Sequence, residues 1–147
     1  MHDTCTNTLR IEGFISAAEL TDMFCTQAKA EFMNPGGSSK DRVAKGIVED
    51  AERRGLLPPN GTIVEGTSGS TGISLSLIAR AKHYNCMIVM PDDQAKEKSQ
   101  LLQSFGAQVE LVKPASIVNA KHYVNEARRR AAAMEGERAF DMGFFNP

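Results

Sequence analysis

The chain has 147 residues, enough for one ordinary domain, and 17 Lys+Arg against 18 Asp+Glu leave a net charge of −1. With 41% hydrophobic and 24% charged residues, its composition excludes a disordered chain, a collagen and a basic nucleic-acid tail. The longest purely apolar stretch, Cys86 to Met90, is too short to span a bilayer, so no membrane span is expected.

Residues 1–24 hold Asp3, Glu12, Glu19 and Asp22 against a single cation, Arg10. A transit peptide would be Arg-rich and acid-poor, and a secretory signal needs a continuous apolar core. No targeting segment is visible, so the protein acts where it is made or its N-terminus lies upstream. Cys5, Cys25 and Cys86 are odd in number and widely spaced, which fits neither a disulfide framework nor a CxxC metal site. No metal is expected, and the expected compartment is reducing and intracellular.

Short β-like runs then alternate with helical segments. Ala28 to Phe32 reads as a strand, followed by a Pro-Gly-Gly-Ser turn. A helix is expected from Lys40 to Arg54, with Val43, Ile47, Val48 and Ala51 at spacings of three and four and Gly55 closing it. Thr62 to Glu65 reads as a strand entering a glycine-rich turn. Ile73 to His83 reads as a helix, rich in Leu and Ile and nearly all apolar on its buried side. Cys86 to Met90 is a continuous apolar run, as in a parallel strand covered on both faces. Leu101, Leu102 and Phe105 lie on a third helix that stops at Gly106, and Val109 to Val112 is another strand. Ala120, Val124, Ala127 and Ala131 line one face of a fourth helix, with Glu126 and Arg130 paired at i,i+4. Phe140 opens a further strand. The alternation predicts an α/β class, a three-layer αβα domain with a mostly parallel sheet.

Two segments carry chemistry. In Asn34-Pro-Gly-Gly-Ser-Ser-Lys40-Asp-Arg42 a tight turn runs into a helix whose opening turn holds Lys40. A lysine there meets the positive end of the helix dipole, a setting that favours the neutral, nucleophilic amine. The plainer alternative is a solvated lysine in a polar first turn. In Gly66-Thr-Ser-Gly-Ser-Thr-Gly72, small residues let backbone N–H groups converge on an anion, with hydroxyls from Thr67, Ser68, Ser70 and Thr71 as further donors. The glycine spacing fits neither the dinucleotide fingerprint nor the P-loop, so a carboxylate or lone phosphate is the better anion; an ordinary βα turn is the alternative. One helix and one strand separate the two segments, so both are expected at the C-terminal edge of one sheet.

At these residues the chain resembles the N-terminal part of the cysteine synthase family, fold-type II enzymes that use pyridoxal phosphate, with the fungal cysteine synthase 2 branch the nearest likeness. The likeness runs from about Asn7 to Phe145 through residues 29–38 (KAEFMNPGGS), 40–42 (KDR), 63–69 (IVEGTSG), 90–94 (MPDDQ), 97–98 (EK), 105–107 (FGA), 114–118 (PASIV) and 143–145 (GFF). The resemblance implies that Lys40 carries the cofactor and then acts as base. It implies that Thr67, Ser68, Gly69 and Thr71 bind the substrate carboxylate. Ser70 stands where most of the family has an asparagine that hydrogen-bonds the cofactor, and Ser39 replaces the usual valine.

The implied reaction is β-replacement, forming L-cysteine from O-acetylserine and sulfide. The implied partners are these small molecules, with no nucleic acid, and the full-length protein is a homodimer, cytoplasmic or mitochondrial. The family's second domain supplies a glycine-rich loop for the cofactor phosphate, and no GTGG-like run occurs in this sequence. The expected organisation is therefore a segment 1–33 that packs on or pairs with a second domain, then an αβα domain over 34–147, without the phosphate-binding domain. The polypeptide alone is expected to hold pyridoxal phosphate poorly and to be inactive. Alternatives are a cystathionine β-synthase or serine/threonine dehydratase-like chain, or a catalytically silent partner-binding domain. His2, His83 and His122 are scattered, Arg128 to Arg130 reads as a solvated face, and Cys86 as core.

Overall fold

The alternating pattern builds a four-stranded parallel sheet between helices in a computed structural model that describes residues 8–9, 28–134 and 139–141. A separate antiparallel ribbon joins β1 (Thr8–Leu9) to β2 (Ala28–Lys29). The main elements follow as α1 (Lys40–Arg53), β3 (Thr62–Gly66), α2 (Ser70–Lys82), β4 (Asn85–Pro91) and α3 (Lys96–Ser104). They continue with β5 (Gln108–Val112), α4 (Tyr123–Ala133) and β6 (Ala139–Asp141). The sheet order is β5-β4-β3-β6, and every pairing in it is parallel.

Side chains of successive strand residues leave opposite faces of the sheet, and β4 uses both. Cys86, Ile88 and Met90 join Ile63 and Phe140 under α1, α2 and α3, where Ala44, Val48, Leu75, Ala79 and Leu102 complete the larger core. Met87 and Val89 join Val64 beneath Ala127 and Ala131 of α4. The sheet is therefore a middle layer, and the αβα expectation holds. Helices α1 and α3 end ahead of left-handed glycines, Gly55 at φ 68° and Gly106 at φ 91°, a conformation that costs glycine nothing.

Four local expectations change. The strand from Ala28 to Phe32 is paired only at Ala28–Lys29; residues Glu31–Met33 form a 3₁₀ turn. Asn34 drives the bend, because its side-chain amide donates to Glu31 Oε2 at 2.7 Å and to the Ser38 carbonyl at 2.8 Å. Ala120 precedes α4, which starts after His122, whose Nδ1 accepts from the Val124 N–H at 3.3 Å. The buried side of α2 is not all apolar, since Ser74 and Ser76 are buried there. Their hydroxyls return to the carbonyls of Ser70 (3.1 Å) and Gly72 (2.7 Å), a bond that hides a polar group inside its own helix. Nor is the arginine run purely solvated: Arg129 and Arg130 pair with Glu126, and Arg130 reaches Glu110 of β5 at 2.5 Å. Cys86 is core, as expected. Cys5, Cys25, His2 and the targeting reading of residues 1–24 lie almost wholly outside the described residues.

Candidate functional site

The glycine-rich turn lies where the fold class puts ligands, at the carboxyl edge of the sheet. The Thr67 N–H extends the β3–β4 ladder by donating to the Val89 carbonyl at 3.0 Å, and the Thr67 hydroxyl accepts from the Gly69 N–H at 3.4 Å. Gly69 then begins α2 in extended conformation. No side chain caps this helix, and its first turn holds no acidic residue. The opening N–H groups at Ser70 and Thr71 are thus left to an anion, with the hydroxyls of Thr67, Ser68, Ser70 and Thr71 around them.

Beside the turn is a cavity of about 180 Å³, lined by Ser68, Gly69, Ser70, Ile73, Met90 and Lys98, with Leu102 below. Lys98, which sequence reasoning did not single out, brings a cation to this cavity from α3; its ammonium donates to Gln94 Oε1 at 3.0 Å. The only sequence signal for it was the Glu97-Lys98 pair. The donor-rich, acid-free wall suits a carboxylate-bearing ligand. Gly66 also has a packing role. A Cβ there would lie 2.6 Å from Val124 Cα and 2.8 Å from the Tyr123 carbonyl, so glycine admits the start of α4 against the turn.

Lys40 reaches this region by a different route from the one expected. Its turn follows the β1–β2 ribbon rather than a strand of the main sheet, so the two segments do not share one sheet edge. They are brought together by helix packing. Asp41 Oδ1 accepts from the Ser74 hydroxyl at 2.5 Å near the starts of α1 and α2. At the other ends Glu52 meets the Lys82 ammonium at 2.7 Å and the Tyr84 hydroxyl at 2.8 Å. The two helices therefore run parallel in step, and the first residue of α1, Lys40, stands by the first turn of α2. Lys40 does not line the 180 Å³ cavity; its N–H donates to Ser38 Oγ at 3.2 Å. A hollow of about 350 Å³ between α1 and α2 is lined by Asn34, Pro35, Asp41, Lys45, Ser74 and Leu77, among others.

Charges here and below are paired in ways that shift their titration. The Lys82 ammonium, helped by the Tyr84 hydroxyl, holds the Glu52 carboxyl below its ordinary value. Burial and the neighbouring Glu52 push Tyr84 up. Arg129, then Arg130, lowers Glu126. Burial raises the Cys86 thiol to about 11, which makes it a poor nucleophile.

Comparison with known proteins gives the family. The model of the pyridoxal-phosphate dependent enzymes matches residues 12–147. Cysteine synthase 2 of Neurospora crassa is 58% identical over 122 residues, covering 80% of this chain and 27% of that protein. Cysteine synthase 2 of Schizosaccharomyces pombe is 47% identical over 128 residues, covering 82% of this chain and 32% of that protein. Among solved structures, a hydrogen sulfide-producing enzyme of Fusobacterium nucleatum superposes with a TM-score of 0.67 at 35% identity, covering 78% of this chain and 36% of the other. The chain thus spans about a third or less of the length of these curated relatives.

Proposed function

Because the chain belongs to the family of pyridoxal-phosphate dependent enzymes, we propose that it is the lysine-bearing and carboxylate-binding part of a cysteine synthase. The whole protein then forms L-cysteine from O-acetylserine and sulfide by β-replacement. One observation supports this reading: the parallel register of α1 and α2 stands Lys40 by an uncapped helix start that is rich in hydroxyls and has no acidic residue in its own first turn.

Lys40 would hold the cofactor through its side-chain amine, with the Ser70 hydroxyl as a donor to it. Pyridoxal phosphate, when bound, supplies an electron sink for charge that develops at the substrate Cα. Thr67, Ser68, Gly69 and Thr71 bind the α-carboxylate through N–H and hydroxyl donors and so orient the Cα–H bond. The Lys40 amine, once released, takes the Cα proton as general base. Acetate would leave from Cβ, hydrosulfide would add there, and the Lys40 ammonium would return the proton to Cα. Lys98 adds a positive charge to the carboxylate side of the cavity. The proposed setting is cytoplasmic or mitochondrial, and the proposed assembly of the whole protein is a homodimer, which light scattering would read as twice the monomer mass.

The test is L-cysteine formation from O-acetylserine and sulfide by the longest reading frame that contains this chain, with serine and threonine as competing substrates. Lys40→Ala is expected to abolish it. Cysteine formed at an undiminished rate by Lys40→Ala, or turnover of serine or threonine alone, would overturn the reading.

A further inference from the structure

The Asp41 carboxylate does more than start a helix. Oδ2 accepts from the Gly36 N–H at 2.6 Å, and Oδ1 accepts from the Ser74 hydroxyl at 2.5 Å. Ser74 is buried, and its oxygen also lies 3.1 Å from the Ser70 carbonyl one turn earlier in α2. The carboxylate sits so close to the turn that a Cβ at Gly36 would fall 2.3 Å from Oδ1, and the Asp41 side chain would have to shift to admit one. One side chain thus joins the Pro-Gly-Gly turn, the residue after Lys40, and the helix that opens with Ser70. Charge-assisted bonds of this kind are short and directional, and their loss leaves a half-buried donor unmet.

We propose that Asp41 is a positioning residue that sets where Lys40 stands relative to the anion-binding start of α2. It works through Ser74 on one side and Gly36 on the other, and touches neither cofactor nor substrate. The inference rests on the functional reading above, since it concerns the reactivity of Lys40. Glu31 and Arg42 pair with each other across the same turn, and Arg42 also lines the hollow between α1 and α2.

The experiment uses the longest reading frame that contains this chain, with pyridoxal phosphate, borohydride trapping and peptide mapping of modified lysines. The readout is the ratio of label on Lys40 to label on Lys45, an exposed lysine of the same helix, well below the melting temperature. Asp41→Ala and Ser74→Ala are each expected to lower that ratio by about tenfold, the effect of losing one charge-assisted hydrogen bond. Ser74→Thr, which keeps the hydroxyl, is expected to restore it, and the double variant is expected to lose little more than either single one. Should Asp41→Ala fail to fold, Ser74→Ala and Asp41→Asn carry the test. A Lys40:Lys45 ratio unchanged in folded Ser74→Ala and Asp41→Asn would overturn the role of Asp41 and leave the functional reading intact. A wild-type chain in which Lys40 is labelled no faster than Lys45 would overturn the functional reading and the inference with it.

Discussion

At the scale of single residues, close approach and burial decide more than chemical type. Gly66→Ala would drive a Cβ into backbone atoms of Val124 and Tyr123, and backbone cannot swing aside as a long side chain can. It is expected to cost about 1–3 kcal/mol and lower the melting temperature, as overpacking does. Cys86, with its thiol raised to about 11, is expected to resist alkylation in the native chain at pH 8 and to react only on unfolding, as peptide-mapped labelling would show. The candidate site residues stand out in sequence because small residues and one lysine in that order have few structural uses. The need for glycine at Gly66 comes from α4, which arrives 57 residues later, and no local pattern announces that contact. Ser74 and Ser76 were missed for a related reason. A buried serine that bonds its own helix looks, in sequence, like a surface serine.

Among the elements, the pairing of α1 with α2 matters most, because it replaces a shared sheet edge as the means of bringing Lys40 to the glycine-rich turn. Ala44, Val48, Leu75 and Ala79 fill the core beneath these helices, with polar bridges near both ends. Leu75→Ala, at a site with no exposure, is expected to cost about 2–5 kcal/mol in denaturant unfolding. The far bridge is partly open to solvent, so Lys82→Ala should cost less than about 1 kcal/mol. Its pH dependence has a definite sign. The Glu52 carboxyl is lowered in the folded state, so its contribution is present above the ordinary value of 4.5 and fades as pH falls through the lower folded value. Unfolding of wild type and Lys82→Ala should therefore converge in acid and separate near neutrality. Helix and strand identities were readable from period and apolar runs. The β1–β2 ribbon was not, because it pairs residues 8–9 with 28–29 and depends on contacts distant in sequence.

For the whole molecule, one parallel sheet with helices on both faces carries the glycine-rich turn at its edge, and the packing of α1 beside α2 brings Lys40 towards that turn. The sequence contains no second glycine-rich run of the kind that holds a cofactor phosphate, so the 147-residue chain is expected to bind pyridoxal phosphate weakly. Equilibrium dialysis would measure that, and tight binding would count against the expectation. Trapping by borohydride records where the cofactor reacts even when binding is weak, so it addresses the central claim most directly. The reduced adduct is expected on Lys40 ahead of the exposed lysines at 45, 96 and 121, and O-acetylserine is expected to suppress it. An adduct spread evenly over those lysines, with Lys40 no more reactive than the rest, would contradict the account.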